Sequence, residues 1–175
     1  SNEELGFNRT NMNSGLFQNK LVTDKYWQER IPDFSKIHVP VLSAANWGGQ
    51  SLHSRGNFEG FGKIASTEKW LEVHGLEHWT EFYTDYGVDM QKRFFGHYLK
   101  GEENNWEKEP RVTLQVRYPG DKFVERKENE WPLARTNWTK LYLTPSGSLA
   151  TEEKSFEESK IDYNGFGEGI TFLSE

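Results

Sequence analysis

The chain has 175 residues, a formal net charge of -6 and no cysteine. The missing cysteines exclude disulfides, thiol catalysis and cysteine zinc sites, and the acidic balance without long basic runs argues against nucleic acid or anionic membranes as partners. With 34% hydrophobic and 15% aromatic residues, the chain has little aliphatic material for a large core yet too many rings for disorder, which favours a fragment that packs against further polypeptide.

The first 36 residues predict an irregular connection or lid, because Asn is frequent and hydrophobic periodicity is weak. Within them, Thr23 or Asp24 is placed to cap a short helix that ends near Pro32. No apolar run reaches the length of a membrane span, and the N-terminus lacks the apolar segment of a signal peptide. We therefore expect a cytoplasmic protein, and Ser1 at the first position fits a missing upstream segment.

The next stretch predicts a parallel strand–helix–strand crossover. The apolar residues in 39–45 are typical of a strand buried on both faces, residues 58–65 have helical spacing, and "KWLEVHG" predicts a second strand. From Asp85 onward, apolar residues fall mostly on one face of a helix, which Gly101 is placed to end.

A charged segment that closes at Pro110 precedes a change of character. Residues 112–118 alternate between apolar and polar side chains, which predicts a strand, and the short segments after them are typical of antiparallel sheet. The last part is acidic and loop-like until "GITFL". The sequence thus predicts an α/β domain over residues 1–108 and the beginning of a β domain over residues 109–175.

The run "GQSLH" around Ser51 stops one residue short of the G-x-S-x-G nucleophile elbow. His53 stands where the second glycine is needed, and its Cβ would crowd the tight turn. We therefore interpret Ser51 as a helix- or turn-capping residue rather than as a nucleophile.

The run "HGLEH" matches the H-x-x-E-H pattern of zinc peptidases, with His74 and His78 as ligands and Glu77 as the general base. That chemistry needs one continuous helix, whereas the preceding residues predict a strand and Gly75 would weaken the helix. A strand-to-loop turn that holds two histidines is the simpler interpretation, so we expect no metal. The zinc peptidase stays an alternative.

A third interpretation makes His78 the general base of a serine hydrolase whose nucleophile lies elsewhere. In α/β-hydrolases the chain order is Ser, acid, His, and the histidine follows the last main strand. His78 lies in such a loop, where a neutral imidazole can take the serine proton and return it to the leaving group.

Several runs together resemble the CocE/NonD family of hydrolases, which is related to cocaine esterase and the X-prolyl dipeptidyl-peptidases. The runs are "VPVLSAANWGG", "GNFEGF", "KWLEVHGLEHWTEFYTDYG", "QKRFFGHYLKG" and "ENEWPL". The resemblance implies an α/β-hydrolase fold with a helical cap, followed by a jelly-roll β-sandwich. Residues 1–108 would then be the last strands and helices of the hydrolase sheet, with 1–36 as the cap connection, and residues 109–175 the start of the sandwich.

Residue by residue, the resemblance carries over only in part. His78 matches the catalytic histidine of the family, whereas the nucleophilic serine and an oxyanion-hole tyrosine belong upstream of this sequence. The family acid normally follows the first of the two strands in a pattern like Trp-x-Asp-Gly, and Gly49 occupies its place here. Glu59 is the first candidate to replace the acid, and Glu77 is the second.

The resemblance implies part of a serine hydrolase that cleaves a small ester or peptide substrate through an acyl-enzyme, without a cofactor, and that is inactive without its upstream part. One alternative is the zinc peptidase described above. Another is a non-catalytic module that binds carbohydrate or protein through Trp106, Trp131 and Trp138. We interpret these rings as packing at the domain boundary, because that is where they lie in the sequence.

Overall fold

A computed structural model describes residues 2–7, 9, 11–49, 53–120, 122–153, 158 and 160–174. For Asn2, Leu5 and His78 the description is limited to the backbone. The chain divides into two compact units, Ser1–Pro132 and Leu133–Glu175, and each unit is described by itself.

The helices and strands follow one another along the chain. The helices are α1 (Asn2–Phe7), α2 (Met12–Gln18), α3 (Lys25–Gln28), α4 (Ser54–Lys63), α5 (His78–Phe82) and α6 (Asp85–Lys100), with short 3-10 helices at Phe34–Lys36 and Trp106–Lys108. The strands are β1 (Val41–Asn46), β2 (Lys69–His74), β3 (Val112–Tyr118), β4 (Lys122–Glu128), β5 (Tyr142–Leu143), β6 (Ser148–Ala150) and β7 (Leu173–Ser174). Over the described ranges, none of the helices has the length and apolar character that crossing a membrane requires.

The first unit is organised around a four-stranded sheet in the order β1-β2-β3-β4. β1 and β2 run parallel, with Val41 opposite Lys69 and Asn46 opposite His74. β3 is parallel to β2, and β4 returns antiparallel to β3. Because α4 connects β1 to β2, the crossover predicted from the sequence is confirmed.

Alternating side chains divide the core of this unit into two layers. The α4 face of the sheet carries an apolar cluster that includes a phenylalanine of α4: Ala45, Phe61, Leu71, Val73, Val112 and Leu114. The α6 face carries Trp70, which packs against Phe94 of α6 and against Trp106. Each face of β2 is therefore covered by a different helix.

Helix α6 begins and ends as the sequence predicts. The hydroxyl of Thr84 accepts a hydrogen bond of 3.1 Å from the Gly87 N–H and so caps the first turn. At the other end Gly101 has a φ of 69°, a left-handed conformation that glycine adopts without a steric cost. The helix therefore has a defined signal at each end.

The N-terminal stretch is more helical than predicted. The first 36 residues contain α1, α2 and α3, although their weak periodicity predicted an irregular connection with one short helix. Asn11 explains part of the difference, because its side-chain oxygen accepts a hydrogen bond of 3.0 Å from the Ser14 N–H and caps α2. The short helix after Asp24 is confirmed as α3, although it ends at Gln28 and the Asp24 side chain makes no capping bond to it.

Strand β1 is less buried than predicted. Its last two residues, Ala45 and Asn46, are buried, but Ala44 is exposed and the first three residues are half-buried. The physical reason is its position at the edge of the sheet, where it has β2 as its one neighbour among the described strands.

The alternating segment after Pro110 joins the sheet of the α/β part. β3 pairs with β2, with Val112 opposite Leu71, and the compact units divide after Pro132 rather than near residue 109. Alternation specifies a strand with two unlike faces but not the sheet that it joins. The domain boundary at residue 109 stays a prediction about a longer protein.

The second unit contains a small sheet in the order β5-β6-β7. β5 and β6 are antiparallel, whereas β6 and β7 are parallel. The Thr144 N–H donates a hydrogen bond of 3.0 Å to the Ser148 carbonyl and closes the turn between the first two strands. These short strands do not establish a jelly roll.

Candidate functional site

The candidate site lies where β1 and β2 end. The two strands are parallel and in register, so their last residues, Asn46 and His74, lie side by side. In open α/β sheets, ligands bind beyond the carboxyl ends of the parallel strands. A binding site is therefore expected at the loops that follow Asn46 and His74.

These two loops are in direct contact. The Trp47 N–H donates a hydrogen bond of 2.9 Å to the His74 carbonyl, which extends the ladder by one residue beyond β1. A Cβ added to Gly48 would lie 2.8 Å from the Leu76 carbonyl carbon and 2.8 Å from the Glu77 nitrogen. Only glycine fits at residue 48, because the backbone of the second loop occupies the space that a side chain would need.

The second loop turns at Gly75, which is buried. The Gly75 N–H donates a hydrogen bond of 2.8 Å to the side-chain oxygen of Gln115 on β3. A Cβ at residue 75 would come within 2.6 Å of the ring of Phe123 on β4. The turn is thus enclosed by the two strands that follow it in the sequence.

His78 is the first residue of α5, three residues after this turn. The preceding residue, Glu77, has an extended backbone with φ -64° and ψ 148° and marks the start of the helix. The side chain of His78 lies outside the described part of the structure, so its role as the general base stays a prediction. The sequence predicted His78 within the loop that follows β2, whereas its backbone lies immediately after that loop, at the start of α5.

The place that the resemblance gives to the catalytic acid is shaped for glycine. The Gly49 N–H donates a hydrogen bond of 2.5 Å to the side-chain oxygen of Asn46. A Cβ at residue 49 would lie 2.3 Å from that same oxygen. An aspartate could not stand at residue 49 unless the Asn46 side chain moved.

The two candidate replacements for the acid have local partners. Glu59 forms an ion pair of 2.8 Å with Lys63 one turn along α4, and this lysine lowers the pKa of the Glu59 carboxyl. Glu77 accepts a hydrogen bond of 3.4 Å from the Thr80 hydroxyl. Because the His78 side chain lies outside the described part of the structure, the role of either carboxylate as the acid stays a prediction.

Ser51 lies outside the described residues, as do Gln50 and Leu52. Helix α4 begins at Ser54 after His53, which makes no side-chain capping bond to the helix. The capping role interpreted for Ser51 therefore stays a prediction.

The zinc alternative lacks the helix that it needs. His74 is the last residue of β2 and His78 is the first residue of α5, so the two histidines do not lie one turn apart on a continuous helix. Among the described side chains, which do not include that of His78, no group of three His, Asp or Glu residues could hold a metal ion.

Strand β2 carries a buried acid–histidine pair that was not predicted from the sequence. Glu72 and His74 are each 4% exposed, and Nδ1 of His74 lies 2.8 Å from Oε2 of Glu72. Burial raises the pKa of Glu72, and the hydrogen bond with His74 opposes that shift. Nε2 of His74 is buried and has no hydrogen-bond partner within the described part of the chain. Polar residues two positions apart in a buried strand were the available signal, since they share a face.

A largely apolar groove of about 520 Å³ opens beside this pair. Its walls come from β1, α5 and α6 and include Leu42, Ala44, Phe82, Met90, Phe94 and Phe95. Glu72 and His74 also line it. The groove lies next to the edge of β1 that has no neighbouring strand among the described residues. These two uncovered surfaces are therefore adjacent.

The three tryptophans proposed for a binding module have different environments. Trp106 is 3% exposed and packs against Trp70 with the ring centroids 5.4 Å apart. Trp131 is half-buried and packs against Phe58 at 4.9 Å. Trp138 belongs to the second unit and is 83% exposed. Two of the three therefore pack within the first unit.

The sheet and its adjoining strand-end loops define an α/β protein of the kind that places its site at the carboxyl ends of parallel strands. No family model matches the chain, and no curated protein matches it. Two crystal structures of a CocE/NonD family hydrolase from Staphylococcus aureus do match, each with 36% sequence identity and a TM-score of 0.76 over 84% of this chain. The resemblance to the CocE/NonD family of hydrolases is thereby confirmed over the part of those structures that the chain spans.

The chain spans 27% and 26% of the length of those two structures. Such coverage fits the fragment that the resemblance implies.

Proposed function

We propose that this chain is part of a serine hydrolase that cleaves an ester or amide through an acyl-enzyme, with His78 as the general base. The observation that carries the proposal is the contact between the two loops at the ends of β1 and β2. Gly48 packs directly on the backbone of residues 76 and 77. The loop that holds the acid in the family thus lies against the turn that leads into His78.

The proposed reaction needs the imidazole of His78 beside a nucleophilic serine. The nucleophilic serine lies on an upstream segment, and His78 accepts its proton as the oxygen attacks the substrate carbonyl. The protonated imidazole then gives that proton to the departing alcohol or amine, which leaves the acyl group on the serine. In the second half of the reaction the same histidine deprotonates a water molecule that attacks the acyl-enzyme, and it returns that proton to the serine oxygen as the acid leaves. None of these steps requires a cofactor.

The upstream part of the same hydrolase is the proposed partner of this chain. Two uncovered surfaces support this assignment: the outer edge of β1, whose neighbour on one side is β2, and the apolar groove beside it. An edge strand can pair with another strand, and an apolar groove is stabilised when another element covers it. The matched hydrolases are much longer than this chain. In the proposal, the additional polypeptide covers both the edge of β1 and the groove.

The second unit belongs to the same proposal as the beginning of a β-sandwich. The antiparallel pair β5–β6 with its short turn is compatible with such a domain. Further strands from a longer chain would be needed to complete two facing sheets.

The test compares the full-length hydrolase that contains this chain with its His78→Ala variant. We expect turnover of p-nitrophenyl acetate to fall about a thousandfold or more, as it does when a triad member is removed. The variant His38→Ala is the matched control, since His38 is an exposed histidine of the same unit. It should keep the activity of the unchanged enzyme.

A fluorophosphonate probe separates the two parts of the proposal. It should label a serine outside these 175 residues in the full-length protein. Label on Ser51 would contradict the upstream nucleophile, and so would esterase turnover by the isolated chain. Full activity in His78→Ala would contradict the assignment of the base.

A further inference from the structure

We propose that Gln115 is the positioning residue of the turn that presents His78. The inference rests on the proposed function, because the position of this turn matters for catalysis when His78 is the general base. Gln115 lies on β3, 40 residues away from Gly75 in the sequence, yet its side-chain oxygen accepts the hydrogen bond of 2.8 Å from the Gly75 N–H.

Gly75 depends on this contact for its hydrogen bond. It follows the last residue of β2, and the ladder between β2 and β3 ends with Val73 opposite Leu114. Because Gly75 is buried, its N–H has poor access to water and needs a partner from the protein. The Gln115 side chain reaches past the end of the ladder and supplies that partner.

The same residue also holds the neighbouring loop. Its backbone carbonyl accepts a hydrogen bond of 2.7 Å from the indole nitrogen of Trp47. Trp47 is followed directly by Gly48, which packs on residues 76 and 77. Gln115 is therefore connected to the loops after β1 and after β2, through its carbonyl and its side chain respectively.

Only the side-chain contact depends on the amino-acid type, which makes the inference testable. Gln115→Met keeps the size and the flexibility of the side chain but removes the acceptor for Gly75. The backbone bond to Trp47 remains in this variant. Any change should therefore arise at the turn of Gly75 and not at the loop of Trp47.

The charge-neutral rescue combines Gln115→Glu with Glu125→Gln. A carboxylate at residue 115 restores an acceptor for Gly75. Glu125 lies opposite Gln115 across the β3–β4 pair, so the second substitution removes the carboxylate that would otherwise face the new one. Thr113→Val is the matched control, since Thr113 lies two residues earlier on the same face of β3.

The first readout is kinetic and uses the full-length hydrolase with p-nitrophenyl acetate. Active sites are counted by fluorophosphonate labelling, so that misfolded protein does not contribute. We expect Gln115→Met to lower kcat by about tenfold to a hundredfold with KM nearly unchanged, since a small displacement of a catalytic group is enough for such a loss. The rescue variant should recover most of the kcat, and Thr113→Val should keep all of it.

The second readout is hydrogen exchange of the peptide that contains Gly75, followed by mass spectrometry. Gln115→Met should exchange faster there than the unchanged protein and the rescue variant. Equal exchange in all three would overturn the inference, and so would an unchanged kcat in Gln115→Met. If the unchanged enzyme fails to turn over the ester and resists the probe, the proposed function fails, and the exchange result alone decides whether Gln115 holds the turn.

Discussion

The two faces of the sheet in the first unit differ in how completely this chain covers them. On the α4 face, every residue of the central cluster is apolar and at most 8% exposed. On the α6 face, β2 contributes Trp70 together with the polar pair Glu72 and His74, and a groove of about 520 Å³ remains open beside them. The centre of the α4 face is a closed apolar core, whereas the α6 face combines a core with an open groove that a longer protein can use.

The largest effect is expected in the apolar cluster on the α4 face. Leu71→Ala removes a side chain that is 1% exposed in the apolar cluster, and we expect it to lower the free energy of unfolding by about 2–5 kcal/mol. Leu99→Ala is the control on α6, where the side chain is 76% exposed, and its effect should stay within about 0.5 kcal/mol. Urea denaturation followed by tryptophan fluorescence measures both. Equal losses would contradict the burial of Leu71 in a closed apolar core.

The sequence predicts the α4 face better than the α6 face for a physical reason. Apolar alternation in β2 and helical spacing around Phe61 specify a buried layer without knowledge of what lies further away. Glu72 and His74 share one face of a strand, but the sequence does not say that α6 covers that face. Their burial depends on packing between distant segments, and local patterns carry no information about it.

The candidate site shows the same division. The order of elements predicts His78 in the loop after the second parallel strand, and the structure places its backbone just past that loop, as the first residue of α5. The bond from Gly75 to Gln115 joins residues that are 40 positions apart, and the contact of Gly48 with residues 76 and 77 joins two loops. Such contacts follow from strand register, which a single sequence does not specify well for β3.

A smaller effect is expected at the turn that follows β2. Gly75→Ala places a Cβ against the ring of Phe123, and overpacking of this kind should destabilise the protein by about 1–3 kcal/mol. In the background of Phe123→Ala the same substitution should cost clearly less, because the obstructing ring is gone. A double-mutant cycle of urea denaturation measurements gives this coupling. Additive effects would contradict a steric origin.

The buried acid on the α6 face predicts a pH effect of known sign. Burial raises the pKa of Glu72, so the folded protein binds this proton more tightly than the unfolded chain does. The resulting stabilisation is present below the unfolded pKa and is lost as the pH rises through the folded pKa. The unchanged protein should therefore lose stability relative to Glu72→Gln as the pH rises above about 4, the ordinary pKa of a glutamate.

Urea midpoints of the two proteins across this range measure that difference. The exposed carboxylates, such as Glu59, titrate alike in both proteins and cancel in the comparison. Profiles that run parallel would show that Glu72 has no raised pKa in the folded state. If the unchanged protein instead became more stable relative to Glu72→Gln as the pH rises, the sign of the effect would be reversed. That result would contradict a pKa of Glu72 that burial raises.

The smallest effect is expected on the outer side of α4, at Glu59. Its carboxylate is 49% exposed and pairs with Lys63, and exposed pairs of this kind contribute little to stability. Glu59→Gln should therefore leave both the urea midpoint of the chain and the kcat of the full-length hydrolase nearly unchanged, with Glu29→Gln in the exposed pair with Lys25 as the control. A loss of kcat by several orders of magnitude in Glu59→Gln alone would instead make this residue the acid that orients His78. In that case the catalytic acid would be a surface carboxylate of α4. It would lie on the α4 face of the sheet.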